Sequence, residues 1–182
     1  MEQPGVTLVG TGMKGTGLVQ STRLAITQLV ASSKTRLTIL APYFDQDGAD
    51  FLAPCLQAAL DRRVSVLLMV RTGVRASDLN VPGLRRLART IGPEILERSV
   101  ELIQLVERED QGEEYGLHAK VVIADGLAAY IGSSNLTRNG LDRNFEVGLI
   151  VAGQIATDLL RTVEPLAKLP GARHLSWRSL AA

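Results

Sequence analysis

The chain has 182 residues, 46% hydrophobic and 21% charged, with a formal net charge of +1. That length and apolar content suffice to bury a core, and a single domain covering residues 1–182 is the default expectation. A near-zero charge lacks the basic excess that would announce a nucleic-acid coat protein and neither supports nor excludes nucleic acid, and no window approaches the roughly 18 apolar residues of a membrane span. Any anionic substrate must therefore be held by local cations. A lone Cys55 forms no intramolecular disulfide, and the N-terminal residues 1–12 lack the basic start and apolar core of a secretion signal. The expected setting is the cytoplasm, without stable membrane insertion.

In chain order, Val6 to Val9 reads as a short strand closed by Gly10, Gly12, Gly15 and Gly17. A phosphate-loop reading of these glycines fails where Thr16 stands in the place of the required lysine, leaving a loop near a site. Leu18 to Ser33 has apolar residues at helical spacing, and Arg36 to Ala41 reads as a buried strand stopped by Pro42. Tyr43 and Phe44 follow at the strand exit, where open α/β sheets keep their sites, so they either line a pocket or pack. Ala49 to Arg62 is a second helix and Val64 to Val70 a strand apolar on both faces, and this implies a parallel crossover.

Gly73, Pro82 and Gly83 break the chain before a basic helix from Leu84 to Thr90, whose Arg85, Arg86 and Arg89 form a solvated face or a phosphate-tracking patch. Val100 to Val106 is a further strand, followed by an acidic loop with Glu107, Glu109, Asp110, Glu113 and Glu114. Asn144 to Val151 gives a last strand and Ile155 to Leu169 a closing helix. The alternation of strands and helices reads as one α/β sandwich.

Between them lies GLHAKVVIADGLAAYIGSSN, from Gly116 to Asn135. Leu117, Ala119, Val121 and Ile123 alternate with His118, Lys120 and Val122, aiming His118 and Lys120 from one face. Asp125-Gly126 suits a two-residue type I′ turn, whose register would set Ala124 opposite Leu127, Lys120 opposite Ile131 and His118 opposite Ser133. A nucleophile candidate, a cation and a hydroxyl would then meet.

His118, Lys120, Asp125, Gly132, Ser133 and Asn135 fulfil H-x-K-x4-D-x6-G-S-x-N, a spacing that resembles the signature of the phospholipase D superfamily of nucleases, phospholipases and phospholipid synthases. The resemblance runs from about Leu18 to about Leu166, more loosely around Tyr43. It implies a mixed β-sheet flanked by helices on both faces. It also implies that His118 forms a covalent phosphohistidine, that Lys120 and Asn135 bind phosphate oxygens with help from Ser133, and that Glu146 accepts a hydrogen bond from the far ring nitrogen of His118. Asp125 reads as a brace of the hairpin. The chemistry implied needs no cofactor and no metal, and no clustered carboxylates or histidines suggest one.

Such chemistry requires two histidines, and the other histidine here, His174, has no lysine two residues on. Single-motif members of the superfamily pair as homodimers so that two copies converge on a two-fold axis, which implies the same for this chain. The first expectation is a nuclease whose Arg138 and Arg143, with the Arg85 to Arg89 helix, track nucleic acid, DNA in particular. The alternatives are a lipid phosphodiesterase or phosphatidyl transferase, and a silent nucleic-acid-binding subunit of a prokaryotic phage-defence complex.

Overall fold

Apolar runs with helical stretches between them place three strands side by side, in a computed structural model that describes residues 5–12, 20–72, 77–106, 108–110 and 113–181. These strands are β3 (Arg36–Ala41), β4 (Ser65–Thr72) and β5 (Val100–Val106), paired in parallel. The chain then reverses. β8 (Lys120–Ala124) lies antiparallel on β3, β9 (Ala128–Gly132) on β8, β10 (Glu146–Ala152) on β9 and β1 (Val6–Thr11) on β10. With β2 (Gln20–Ser21) and β11 (Ala172–His174) at its edges, the mixed sheet has, among the described residues, nine strands in the order β11-β5-β4-β3-β8-β9-β10-β1-β2.

Helices cover both faces, as the expected sandwich requires. On one face α1 (Thr22–Ser32), α2 (Gln46–Asp61), α3 (Ser77–Ile91), α4 (Pro93–Ser99) and α6 (Trp177–Ala181) enclose a core built on Leu37, Ile39, Leu68, Val122 and Tyr130. On the other, α5 (Gln154–Val163) and a 3-10 turn (Glu164–Lys168) cover Leu40, Met69, Ile103, Val121 and Ile123. β8 is buried on both faces and hydrogen-bonded along both edges, so whatever it carries is held by the centre of the sheet. Cys55 packs half-buried within α2, where burial pushes its thiol up to about 11.

Three sequence expectations require correction. Pro82 and Gly83 do not precede a helix but lie inside α3, because the missing Cβ of Gly83 lets the helix approach the Phe44 backbone; a Cβ there would stand 2.3 Å from the Phe44 carbonyl oxygen. The acidic stretch is no plain loop, since Arg108–Asp110 (β6) and Glu113–Tyr115 (β7) pair as a small antiparallel ribbon. The helix expected from Ile155 to Leu169 ends at Val163 and tightens into the 3-10 turn. Gly10 belongs to β1, while Gly15, Gly17 and Leu18 fall outside the described residues.

The turn of the central hairpin also departs from expectation. Asp125 and Gly126 do have the positive φ values, 56° and 67°, of a type I′ turn, and the Leu127 N–H returns to the Ala124 carbonyl at 2.9 Å. Yet Leu127 offers its own carbonyl to Gly153, and pairing resumes one residue later, with Ala124 opposite Ala128 and Lys120 opposite Gly132. A strand with only one buried face would fix its register by alternation. Here Ala129 and Tyr130 are both buried, so alternation leaves the register open, and packing of the Tyr130 ring decides it. That ring occupies the space left by Gly132 and Gly148, which face each other across β9 and β10.

Candidate active site

The end of β8 that enters from Leu117 carries the principal pair. Lys120 is 7% exposed, and its Nζ reaches 3.0 Å from His118 Nε2 and 2.8 Å from the His118 carbonyl oxygen. An ammonium only donates, so Nε2 is the ring nitrogen with the lone pair and the ring proton belongs on Nδ1. The charge of Lys120, then burial, then the charge of Arg71 hold His118 below the usual histidine value, which keeps an exposed imidazole neutral and nucleophilic. Burial lowers Lys120 as well; Glu146 opposes that shift and Arg71 adds to it.

The return of the hairpin brings the rest. Ser133 Oγ donates to Glu146 Oε2 and accepts the Val147 N–H at 3.2 Å, while Asn144 Nδ2 donates to Glu146 Oε1 at 3.2 Å. Glu146, at the head of β10, is 8% exposed. The hydrogen bond expected between Glu146 and His118 is not formed: the carboxylate turns one oxygen to Ser133 and the other to Asn144, while His118 Nε2 meets Lys120. Nor do the shifted strands set His118 opposite Ser133. Asn135 is half-buried, and its Oδ1 is buried without a hydrogen-bond partner among the described residues, as are the hydroxyls of Thr11, Thr22 and Thr38. Beneath this loop the Tyr130 hydroxyl accepts the Ser134 N–H at 3.3 Å, and the Ser134 hydroxyl donates to the Gly140 carbonyl at 2.7 Å.

Asp125 stands at the far end of β8 and braces the fold. Its Oδ1 accepts from Thr35 N, Thr35 Oγ1 and Arg36 N, and its Oδ2 from Lys34 N, all at 2.8 Å. Burial alone would raise its pKa; the donors at Arg36, Thr35 and Lys34 outweigh it and hold the carboxyl below its ordinary value. Asp125→Ala should therefore destabilise the fold by about 2 kcal/mol at neutral pH, from lost charge-assisted hydrogen bonds and an alanine at positive φ. A depressed carboxylate contributes stability above its unfolded pKa and loses it as pH falls through the folded one. The gap between wild type and variant in urea denaturation should accordingly close in acid.

Other candidates separate from this centre. The Arg138 N–H donates to Asp45 at 3.0 Å and its exposed side chain lies 4.0 Å from Asp47; Arg143 is exposed at the end of a π-helical turn (Asn139–Arg143). Neither is bonded to His118 or Lys120. On the basic helix, Arg85 donates to the Leu180 carbonyl and Arg86 pairs with Asp50 at 2.7 Å, so two of its three arginines serve packing between elements. His174 lies on the edge strand β11, 3.6 Å from Glu101, far from the motif in the sheet order. Tyr43 is half-buried and accepts a hydrogen bond from Arg71 Nη1 at 3.2 Å. No motif spacing marks Arg71, a residue of β4 that strand order brings to the sheet end of His118. Among the described residues no group of three or more histidine, cysteine, aspartate or glutamate side chains is arranged to hold a metal ion, and no helix is long and apolar enough to cross a membrane.

Comparison with known proteins places the chain in a family. The family model described as cardiolipin synthase, PLD-like domain, matches residues 26–164. Cardiolipin synthase A of Proteus mirabilis is 31% identical over 131 residues, 71% of this chain but 24% of that protein. The DISARM protein DrmC of Bacillus paralicheniformis is 45% identical over 38 residues, 21% of this chain and 16% of that protein. The chain thus matches less than a quarter of the length of either. Among solved structures, the phospholipase D family member Nuc from Salmonella typhimurium superposes with a TM-score of 0.70 at 19% identity, covering 95% of this chain and 99% of that one. NucT from Helicobacter pylori gives 0.66 at 15%, covering 95% and 100%, and the phosphatidylserine synthase of Haemophilus influenzae gives 0.67 at 20%, covering 98% and 42%. The fold and the motif together define a phospholipase D-like domain. The chain belongs to the phospholipase D superfamily.

Proposed function

We propose that this protein is a metal-independent phosphodiesterase that cleaves nucleic acid in a site shared by two copies of the chain. The observation that carries the reading is the neutral His118 whose Nε2 lone pair is held by Lys120 at 3.0 Å. When a phosphodiester enters, Lys120 transfers its hydrogen bond to a phosphate oxygen and releases Nε2, which attacks phosphorus. The N–P bond forms as the P–O bond to the leaving group breaks, and the leaving oxygen takes a proton from the second copy's His118, which carries the one proton that the two facing imidazoles share. That imidazole, now neutral, removes a proton from water. The resulting hydroxide attacks phosphorus, the N–P bond breaks, and His118 is restored. Asn135 and Lys120 stabilise the charge that develops on the phosphate oxygens.

Two observations support the shared site. One chain supplies one histidine of the motif, and the sheet beside the site presents an open apolar row. Leu8 faces Leu149, which faces Ile131, with Val147 next along β10; Leu8, Val147 and Leu149 are 46%, 40% and 39% exposed. The row lies on the sheet face opposite Glu146 and Lys120 but runs to the same strand ends, where Val147 follows Glu146 and 73%-exposed Phe145 precedes it, and this is the face proposed as the two-fold contact. The nucleic-acid reading is supported by exposed Arg138 and Arg143 on the segment after Asn135, and by a likeness that spans the whole of Nuc and NucT but only part of each lipid synthase. The match to DrmC favours work within a prokaryotic defence assembly.

The test is purified protein on DNA, RNA and phospholipid, with and without EDTA. Cleavage of DNA or RNA unaffected by chelator is expected, since Lys120 supplies the charge that a metal otherwise would. Turnover of phospholipid alone would favour the lipid reading, to which the cardiolipin synthase match belongs. Activity that EDTA abolishes and added metal restores would refute the mechanism.

A further inference from the structure

We propose that Arg71 is an additional substrate ligand of this site, a cation outside the motif that grips a phosphate next to the scissile one and so selects a chain of phosphates over a lone diester. This deepens the shared-site nuclease reading and rests on it. The sheet itself carries the first argument. β4, β3 and β8 are neighbours, and the β3–β8 register, Leu40 opposite Val121, brings Tyr43 opposite His118 when continued past the paired segment. The β3–β4 register, Ala41 beside Val70, likewise brings Arg71 beside Pro42. Three adjacent strands thus deliver Arg71, Tyr43 and His118 to one end of the sheet.

Side chains then fix the guanidinium. Arg71 Nη1 donates to the Tyr43 hydroxyl at 3.2 Å, and its guanidinium carbon lies 5.9 Å from the centre of the Tyr43 ring. Asn80, 1% exposed on α3, ties down both backbones: its Nδ2 donates to the Arg71 carbonyl at 2.6 Å and the Pro42 carbonyl at 2.8 Å, and its Oδ1 accepts the Phe44 N–H at 2.7 Å. All three hydrogen-bonding groups of that amide serve to hold Arg71 and Tyr43 in place, the kind of support that a preorganised binding group requires.

Charge supplies the third argument. The field of Arg71 acts on both His118 and Lys120 and disfavours a proton on each, so three basic groups converge with Glu146 as the opposing carboxylate acting on Lys120. A guanidinium offers a planar fork suited to two phosphate oxygens, unlike the point charge of Lys120. In a two-fold site one Arg71 would stand on each side of the scissile phosphate. A polynucleotide strand, with phosphates flanking the cleaved one, satisfies both; a phospholipid diester supplies a single phosphate.

The experiment measures binding, separately from turnover. A fluorescein-labelled single-stranded 12-mer is titrated into wild type, Arg71→Ala and Arg71→Lys by anisotropy, and inorganic phosphate is titrated while following the His118 ring by NMR. Arg71→Ala should weaken the oligonucleotide about tenfold, the effect of losing one charge-assisted contact, while changing phosphate affinity by less than about twofold. Arg71→Lys should recover part of the loss. The His118 pKa should rise in Arg71→Ala and stay near wild type in Arg71→Lys, a change that a merely structural role would not produce. Oligonucleotide binding within twofold of wild type in Arg71→Ala, equal loss for both ligands, or no oligonucleotide binding by wild type would overturn the assignment. Wild type that binds through Arg71 but cleaves no nucleic acid would instead sink the nuclease reading and leave this one standing.

Discussion

His118→Ala should abolish cleavage while leaving the fold and its stability within about 0.5 kcal/mol of wild type, as expected for an exposed side chain outside the strand pairing. Loss of general acid–base function alone costs about 10² to 10⁴ in rate, and here the nucleophile disappears as well. Circular dichroism and urea denaturation test the fold, and single-turnover cleavage tests the chemistry. Mixing wild-type and His118→Ala chains by joint refolding in equal amounts should leave about a quarter of the unmixed activity, because only pairs with both histidines complete the reaction. Sites confined to single chains would leave about a half. Wild-type turnover by His118→Ala would remove the histidine from the mechanism altogether.

Leu149→Asp should yield a folded but inactive monomer. Leu149 sits at the middle of the open row, opposite Leu8 on one side and Ile131 on the other, and it is 39% exposed, so the isolated chain tolerates a carboxylate there. In a two-fold contact the same substitution sets two carboxylates in an apolar interface, where unpaired buried charge costs several kcal/mol. Light scattering should report a mass near 19.6 kDa, and cleavage should fall more than about 100-fold although His118 and Lys120 are untouched. A dimeric, active Leu149→Asp protein would exclude this face as the meeting surface.

Much of the framework was legible because burial on both faces leaves a plain trace. Arg36 to Ala41 and Val100 to Val106 have the bounds that their apolar runs suggest. The same double burial concealed the register of the hairpin: with both faces apolar, alternation carries no information, and the decision passed to one aromatic ring over two glycines. Pro82 and Gly83 misled because a breaker is judged by local conformation, whereas Gly83 serves a contact with a segment 39 residues earlier, at Phe44. In the site, spacing pointed to His118 and Lys120, which share a face and a hydrogen bond. It could not reveal Arg71, which reaches the site by strand order in the sheet, or that Glu146 accepts from Ser133 and Asn144.

The strand order also has a consequence for synthesis on the ribosome. β3, β4 and β5 emerge in succession and can pair as they appear, yet the free edge of β3 awaits β8, and β1, made early, has no antiparallel partner until β10 is complete. For the translation of roughly 80 residues the nascent chain therefore holds an apolar, unpaired edge that invites association with other chains. The strand that closes this edge is the one that bears Lys120, two residues after His118. The His118–Lys120 pair and the cover for the edge of β3 thus arrive in the same step, and a nascent chain cut short before that hairpin has neither.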